Sequence, residues 1–169
     1  MRFAMLAFAV VVAAGCSSEP KAGQKTAERT PRYFELEDVK VTVAAFDKKL
    51  AAFEVPAEVK AASPGNRPTV AVSGVTNNSA GHVNGEIVAD DLSTVLTESR
   101  KFQVIEDHER SGRDIGLSVG PPPDTRFKVE TTLADKPDGT LVSTVVLRDA
   151  RSGKALLESV CEFPPRSAR

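Results

Sequence analysis

Side chains that could carry out chemistry are few in this chain, and they lie far apart. The chain has two histidines, His82 and His108, and acidic residues flank the second of them. A structural zinc site needs four ligands and a catalytic one needs three, so two distant histidines do not form such a site. A run of charges such as the one around His108 is usually a solvated turn. The sequence therefore predicts neither a metal ion nor a cofactor.

No nucleophile in the sequence has an evident activating base. Asp90 and Asp91 occupy adjacent positions of a predicted helix, where side chains do not face each other, so they do not form an acid–base pair. The chain has neither a Gly-x-Ser-x-Gly elbow nor a GK[ST] phosphate loop. Cys161 alternates with apolar residues of a predicted strand, which indicates a small buried side chain. We therefore expect a protein that is not an enzyme.

Composition and charge exclude further classes of partner. The chain carries 22 basic and 23 acidic residues, a net charge of −1 with histidine neutral. That balance provides no electrostatic attraction to nucleic acid or to an anionic membrane surface. Aromatic residues make up 5% of the chain and tryptophan is absent, which argues against a platform for stacking bases. The length of 169 residues and the hydrophobic content of 41% suit one domain with an aliphatic core.

The first residues have the pattern of a secreted protein with a lipid anchor. Residues 3–14 are uninterruptedly apolar, too short to span a bilayer but suited to the core of a signal peptide. The following Gly15-Cys16 pair resembles the lipobox of bacterial lipoproteins, and that resemblance implies cleavage before Cys16 and its lipidation. An ordinary secretory signal with an incidental cysteine is the alternative. Because Ser17 replaces the aspartate that commonly retains lipoproteins in the inner membrane, we expect an outer-membrane anchor facing the periplasm.

These patterns divide the chain into three parts. Residues 1–15 are the predicted signal peptide, and residues 16–32 comprise the lipidated cysteine and a tether. The tether is polar and has no apolar periodicity, which is typical of a solvated linker. Residues 33–169 form the single predicted globular domain.

Residues 68–107 predict a strand, a loop, a helix and a second strand. Val70 and Val72 alternate with small residues ahead of a turn-rich run at 76–81. Helical spacing follows in the apolar residues Val88, Leu92, Val95 and Leu96. A short β-prone run at 102–105 completes the segment. A helix between adjacent strands favours a parallel pair, so we predict a right-handed parallel βαβ unit.

A helix is predicted before this unit and an antiparallel meander after it. The helix spans residues 35–54, and its apolar stripe consists of Leu36, Val39, Val43, Phe46, Leu50 and Phe53. Packing on the sheet of its own domain is the preferred interpretation, and a coiled-coil or partner-binding helix is the alternative. The meander consists of alternating runs at 127–133, 141–147 and 155–163, with turns between them. The predicted fold class is α+β, with a mixed sheet of four or five strands.

Six short motifs also occur in a fixed order along the domain. They are an aspartate near the start of a helix, an Asn-rich turn, a helix with leucines, a Ser-Arg-Lys-Phe link, a strand ending in aspartate, and a Leu-x-Asp-x-x-Ser-Gly turn. They correspond to Asp38, residues 75–78, Leu92 and Leu96, residues 99–102, Asp107 and residues 147–153. This order resembles the LpoB family, lipoprotein activators of penicillin-binding proteins. Related sheets occur in the amino-terminal domain of TolB and in CsgG-like lipoproteins.

The resemblance implies a lipoprotein that binds a peptidoglycan synthase, a class A penicillin-binding protein, and activates it without catalysis of its own. The alternative is a structural or assembly lipoprotein of an envelope secretion or transport complex. Independently of the resemblance, we infer that the partner contacts two loops, residues 76–84 and 106–124. The candidate partner-binding residues are Asn77, Asn78, His82, Asn84, His108 and Arg110.

Overall fold

The computed structural model describes residues 32–62, 66–105 and 125–165, which contain three helices and five strands. The predicted signal peptide, the lipidation site at Cys16, His108 and Arg110 lie outside the described residues. In chain order the elements are α1 (Leu36–Ala52), α2 (Ala57–Ala62), β1 (Thr69–Asn78), α3 (Gly85–Glu98), β2 (Gln103–Ile105), β3 (Phe127–Asp135), β4 (Leu141–Asp149) and β5 (Ala155–Phe163).

The five strands form one mixed sheet in the order β2-β1-β3-β4-β5. Strand β1 runs parallel to both of its neighbours, β2 and β3. Strands β3, β4 and β5 then pair antiparallel, each with the next along the chain. The predicted βαβ unit and the predicted meander are therefore both confirmed, and the fold class is α+β as expected.

Helix α1 packs on this sheet through one side. It begins with a capping box in which the Asp38 carboxylate accepts a hydrogen bond from the Glu35 N–H at 3.1 Å. Its contacts are with β5, β4 and α3, so the predicted packing on its own domain is confirmed. The assignment of Leu36 to the apolar stripe is wrong, because this side chain is 51% exposed. Phe34 takes its place, packing edge-on against Phe163 with ring centroids 5.8 Å apart.

Lys101 closes the other end of α1. Its Nζ donates to the carbonyl oxygens of Leu50 at 2.7 Å, Ala51 at 2.8 Å and Phe53 at 2.6 Å. The last carbonyls of a helix have no partner within the helix, and they carry the negative end of its dipole. Lys101 also belongs to the Ser-Arg-Lys-Phe link after α3, so it joins the ends of the two helices.

We expect Lys101→Met to lower the free energy of unfolding by about 2 kcal/mol, since hydrogen bonds from a charged donor are lost while the apolar stem remains. Urea unfolding measures this change, and hydrogen exchange should show faster opening of the last turn of α1. Lys48→Met is the matched control, because Lys48 is an exposed residue of the same helix. Equal stability of the two variants would contradict the capping role.

The folded domain includes Arg32, which lies one residue before its predicted start. Arg32 was assigned to the tether, but its guanidinium is 2.6 Å from Asp38 Oδ1, and the two side chains are 9% and 7% exposed. It also donates to the Pro164 carbonyl and lies 5.2 Å from the centroid of the Phe163 ring. Arg32 therefore joins the start of α1 to the end of β5 and is part of the folded domain.

Two further boundaries differ from the sequence prediction. The run at 76–81 was predicted as a loop, but β1 continues to Asn78 after a bulge between Val72 and Val75. Pairing of residues 76–78 with β3 overrides the low strand propensity of asparagine. The predicted connector before β1 contains the short helix α2, which buries Val59.

The core lies between the sheet and the two long helices. Phe102 is at its centre, stacked on Phe53 with ring centroids 6.3 Å apart and edge-on to Phe127 at 5.6 Å. Helix α3 contributes the fully buried Val88, Leu92 and Leu96, which confirms the predicted helical stripe. No helix in the described part of the chain is long and apolar enough to cross a membrane.

Candidate protein-binding surface

One end of the sheet gathers the predicted contact residues that the structure describes. Registers align Asn78 with Ala134, Asp135 with Leu141, and Leu141 with Phe163. The loop from β1 to α3, the β3–β4 turn and the end of β5 therefore lie side by side. The contact between Phe34 and Phe163 brings the start of α1 to the same place. We call this region, residues 32–36, 77–87, 136–140 and 163–165, the loop end.

Asn77 has a structural role in the loop end. Its Nδ2 donates to the Gly81 carbonyl at 2.8 Å, and its Oδ1 accepts from the Ser79 N–H at 3.0 Å and the Ser79 hydroxyl at 2.7 Å. Asparagine commonly organises a turn through such bonds to the following backbone. The side chain is thus engaged within its own loop, which explains an asparagine here without a partner protein.

Two contacts across the fold hold the same loop in place. The Ala80 N–H donates to Asp135 Oδ2 at 2.7 Å, which joins the loop to the end of β3. Gly81 is buried against the chain entry: a Cβ on this residue would lie 2.5 Å from the Arg32 carbonyl oxygen. Since real Cβ atoms do not come so close to another atom, the backbone of Arg32 leaves room only for glycine at position 81. These two contacts therefore hold the loop in a fixed position on the domain.

Asn84 also has a structural role. It is the N-cap of α3, and its Oδ1 accepts a hydrogen bond from the Glu86 N–H at 3.2 Å. Asparagine is among the best N-cap residues because it satisfies a helix N–H that lacks an intrahelical partner. This bond accounts for the presence of Asn84 at the start of the helix.

Asn78 and His82 differ from these two asparagines. Both are exposed, and neither side chain has a hydrogen bond to any described residue. Of the four described candidates, they are the ones whose side chains make no hydrogen bond to a described residue. His108 and Arg110 lie outside the described residues, so their proximity to the loop end stays a prediction.

Exposed apolar side chains at the loop end were missed by sequence reasoning. Tyr33 is 58% exposed, and its Cα lies 3.4 Å from the Cβ position of Gly81. Leu36 and Ile87, in the first turns of α1 and α3, are 51% and 39% exposed. Exposed aromatic and aliphatic residues beside polar ones are typical of protein-binding surfaces. Ile87 could have been noticed because it falls outside the buried stripe of its helix.

The described residues contain no group of three or more metal-ligating side chains placed to hold an ion. Cys161 was predicted to be a small buried side chain, and it packs against the core from β5 but is only partly buried. Burial raises the pKa of the Cys161 thiol, and this outweighs the opposing effects of a hydrogen bond with Thr42 and the charge of Lys49. At neutral pH it is a protonated thiol, which is a poor nucleophile.

The fold is α+β with a mixed sheet, and the loop end carries exposed polar and apolar side chains. The profile of the family described as peptidoglycan-synthase activator LpoB matches residues 38–118. Over this stretch, which is just under half of the chain, the sequence is similar to the LpoB family. The matched stretch begins at Asp38, whose carboxylate completes the capping box of α1, and it includes the whole loop from β1 to α3.

Solved structures of the same family are similar at low sequence identity. The LpoB C-terminal domains from Salmonella enterica and Escherichia coli each give a TM-score of 0.47 at 12% identity, covering 72% of this chain and 96% of theirs. The NMR structure of Escherichia coli LpoB gives a TM-score of 0.47 at 10% identity, covering 97% of this chain and 84% of that one. Among curated proteins, none matches the chain.

Proposed function

We propose that this protein is an outer-membrane lipoprotein that binds a periplasmic peptidoglycan synthase of the class A penicillin-binding protein type and activates it. The observation that carries the proposal is the family match over residues 38–118, whose described role is activation of a peptidoglycan synthase. Activation by a binding protein requires only that it prefer the active conformation of the synthase. The protein itself then needs no catalytic group.

The loop end is the proposed contact surface. It combines exposed polar side chains at Asn78 and His82 with exposed apolar ones at Tyr33 and Ile87. Its backbone is braced by Asp135, so little conformational entropy is lost when a partner binds. These properties support a protein contact in preference to a small-molecule site.

The activity test is glycan polymerisation by the cognate synthase with and without soluble protein spanning residues 32–169. The soluble protein must retain Arg32, because that side chain is buried against Asp38. We expect a saturable increase in polymerisation rate that tracks complex formation. If the soluble protein does not bind the synthase and the polymerisation rate is unchanged at saturating protein, the proposed function is ruled out.

We expect the double variant Asn78→Ala/His82→Ala to weaken synthase binding by roughly tenfold or more, as for residues central to an interface. Its free energy of unfolding should stay within about 0.5 kcal/mol of wild type, since neither side chain has a bond within the described residues. Affinity by surface plasmon resonance and stability by urea unfolding separate the two effects.

The matched control is Asp47→Ala/Lys48→Ala, two exposed residues in the middle of α1 away from the loop end. It should bind as wild type does. Asn84→Ala provides a second comparison, because loss of an N-cap costs about 1 kcal/mol of stability without removing a proposed contact. If the Asn78→Ala/His82→Ala protein binds and activates normally, the contact lies elsewhere on the domain.

The proposed anchor is the lipidated Cys16. Burial of acyl chains contributes about 0.8 kcal/mol per methylene, so more than one chain gives stable attachment. Labelling of cells with radioactive palmitate should mark wild type and Cys161→Ala equally, and should not mark Cys16→Ala. Undiminished label on Cys16→Ala would exclude this anchor without affecting the proposed activity of the soluble domain.

A further inference from the structure

A cavity of about 660 Å³ opens at the end of the sheet opposite the loop end. It lies where the starts of β1, β2 and β3 meet α2 and the turn between β4 and β5. Three arginines line it: Arg67, Arg126 and Arg151. The proposed synthase activation uses none of these residues, and the inference that follows is independent of it.

Arg126 is held in a defined position. Its backbone N–H donates to Thr69 Oγ1 at 3.0 Å, which fixes the start of β3 against β1. Its guanidinium is 2.6 Å from Asp149 Oδ2 and lies 5.9 Å from the centroid of the Phe127 ring. A guanidinium oriented in this way is preorganised, so less entropy is lost when a ligand binds.

The same carboxylate orients the backbone of the second arginine. Asp149 Oδ1 accepts hydrogen bonds from the N–H groups of Arg151 and Ser152, each at 3.0 Å. Burial raises the pKa of the Asp149 carboxyl, but the two backbone hydrogen bonds and the Arg126 charge together lower it by more, so the pKa is below its usual value. Asp149 therefore stays charged at neutral pH and holds both sides of the cavity.

The third arginine is restrained through its neighbour in sequence. Arg67 precedes Pro68, and a residue before proline is confined to extended conformations. Pro68 is buried, and its carbonyl oxygen accepts from the Gln103 N–H at 3.0 Å. The arginine side chain itself is exposed to solvent, as is that of Arg151, so both can reach a ligand without a rearrangement of the backbone.

The guanidinium groups of the cavity indicate a ligand with several acceptor oxygens. Three arginines and Glu58 give the described lining a formal charge of +2, and the Asp149 carboxylate bound to Arg126 reduces the net charge of the site to about +1. A phosphomonoester is an anion whose three terminal oxygens accept hydrogen bonds from several guanidinium groups at once. A carboxylate has two oxygens, which a single bidentate guanidinium occupies. The number of guanidinium groups thus favours phosphate over carboxylate.

The size and the remaining polar groups describe the rest of the ligand. The volume exceeds that of a phosphate group alone, and Asn66 and Gln103 add amide donors and acceptors to the wall. Such groups suit hydroxyl groups beside the phosphate. We propose that this cavity binds a phosphomonoester carried by a hydroxylated small molecule, such as a sugar phosphate.

The test is isothermal titration of the full-length protein in neutral detergent micelles with glucose 1-phosphate. We expect saturable binding, weaker binding of inorganic phosphate, and none of glucose. The variant Arg67→Gln/Arg151→Gln should bind at least about tenfold more weakly, since charge-assisted hydrogen bonds are lost. Both substituted side chains are exposed, so the fold is preserved. The control Lys40→Gln/Lys48→Gln removes equal charge from the exposed side of α1 and should bind as wild type does.

A second arm distinguishes a soluble ligand from a lipid headgroup. Doping the micelles with phosphatidic acid, compared with phosphatidylcholine, should reduce the apparent affinity for glucose 1-phosphate if a lipid phosphomonoester enters the same cavity. Unchanged affinity assigns the site to a soluble phosphomonoester, and either result supports the proposal. Absence of saturable binding of any phosphate compound, or equal binding by Arg67→Gln/Arg151→Gln and wild type, overturns it.

Discussion

Asp38→Ala should lower the free energy of unfolding by about 3–5 kcal/mol, the range for removal of one partner from a buried ion pair. The ion pair with Arg32 has its two side chains only 7% and 9% exposed, so water cannot replace the lost carboxylate. The substitution also removes the acceptor for the Glu35 N–H, and with it half of the capping box of α1. Urea unfolding followed by circular dichroism measures the change.

Asp47→Ala is the matched control for this prediction. It removes the same side chain from an exposed position of the same helix and should change stability by less than about 0.5 kcal/mol. A double-mutant cycle with Arg32→Met isolates the pair, since the two residues are in direct contact. A coupling free energy near zero, or an Asp38→Ala effect no larger than that of the control, would show that the ion pair is not important for stability.

The consequence for the loop end is structural as well as energetic. Asp38 positions Arg32, and the Arg32 carbonyl oxygen occupies the space that a side chain on Gly81 would need. We therefore expect loss of the carboxylate to loosen the packing of the chain entry against the loop that carries His82. This gives a physical reason for an aspartate near the start of the first helix among the motifs of the LpoB resemblance: it joins the entry, the first helix and the loop.

Local pattern was sufficient to predict the elements that bury a regular stripe. The stripe of α3 at Val88, Leu92 and Leu96 recurs every four residues, and all three side chains are fully buried. The meander was predicted for the same reason, because β3 alternates buried and half-buried residues along most of its length. Such periodicity reflects a face that meets the core, so it is visible without knowledge of the partner element.

Features that depend on a distant partner were not visible in the sequence. Arg32 follows polar residues whose composition predicts a tether. Only folding brings Asp38 and Phe163 close to its side chain. Asn77 was predicted in a loop because asparagine disfavours strands, but pairing with Leu133 of β3 extends β1 through it. The sequence likewise could not distinguish Asn77 and Asn84, which make hydrogen bonds within the loop, from Asn78 and His82, which make none to a described residue.

Substitution of Asp149 should also lower the stability of the domain strongly. We expect Asp149→Ala to lower the free energy of unfolding by about 2–3 kcal/mol, since it leaves the Arg126 guanidinium and two backbone N–H groups of the turn without their acceptor. The Asp149 side chain is 12% exposed and that of Arg126 is 24% exposed, so partial hydration moderates the loss. Asp149→Asn retains an acceptor oxygen and should be milder, at about 1–2 kcal/mol.

The pH dependence of the same variants tests the electrostatic part. The folded-state pKa of Asp149 is lowered, so its charge contributes stability above the unfolded pKa of about 3.9, and that contribution is lost as pH falls through the folded value. The stability difference between wild type and Asp149→Asn should therefore be constant near neutral pH and shrink in acid below about pH 4. Asp47→Asn should show no comparable change.

The turn that Asp149 organises also links stability to the arginine cavity. The Leu-x-Asp-x-x-Ser-Gly motif ends at Gly153, which adopts a left-handed φ of 69° that favours glycine. Asp149 within that motif holds both Arg126 and the backbone of Arg151. Asp149→Asn also raises the net positive charge of the cavity, but it loosens the guanidinium of Arg126 and the turn of Arg151, and we expect this loss of orientation to dominate and to weaken binding of glucose 1-phosphate even at temperatures where the variant is fully folded. A variant that is destabilised as expected but binds the phosphate ligand with wild-type affinity would show that the turn has a structural role only.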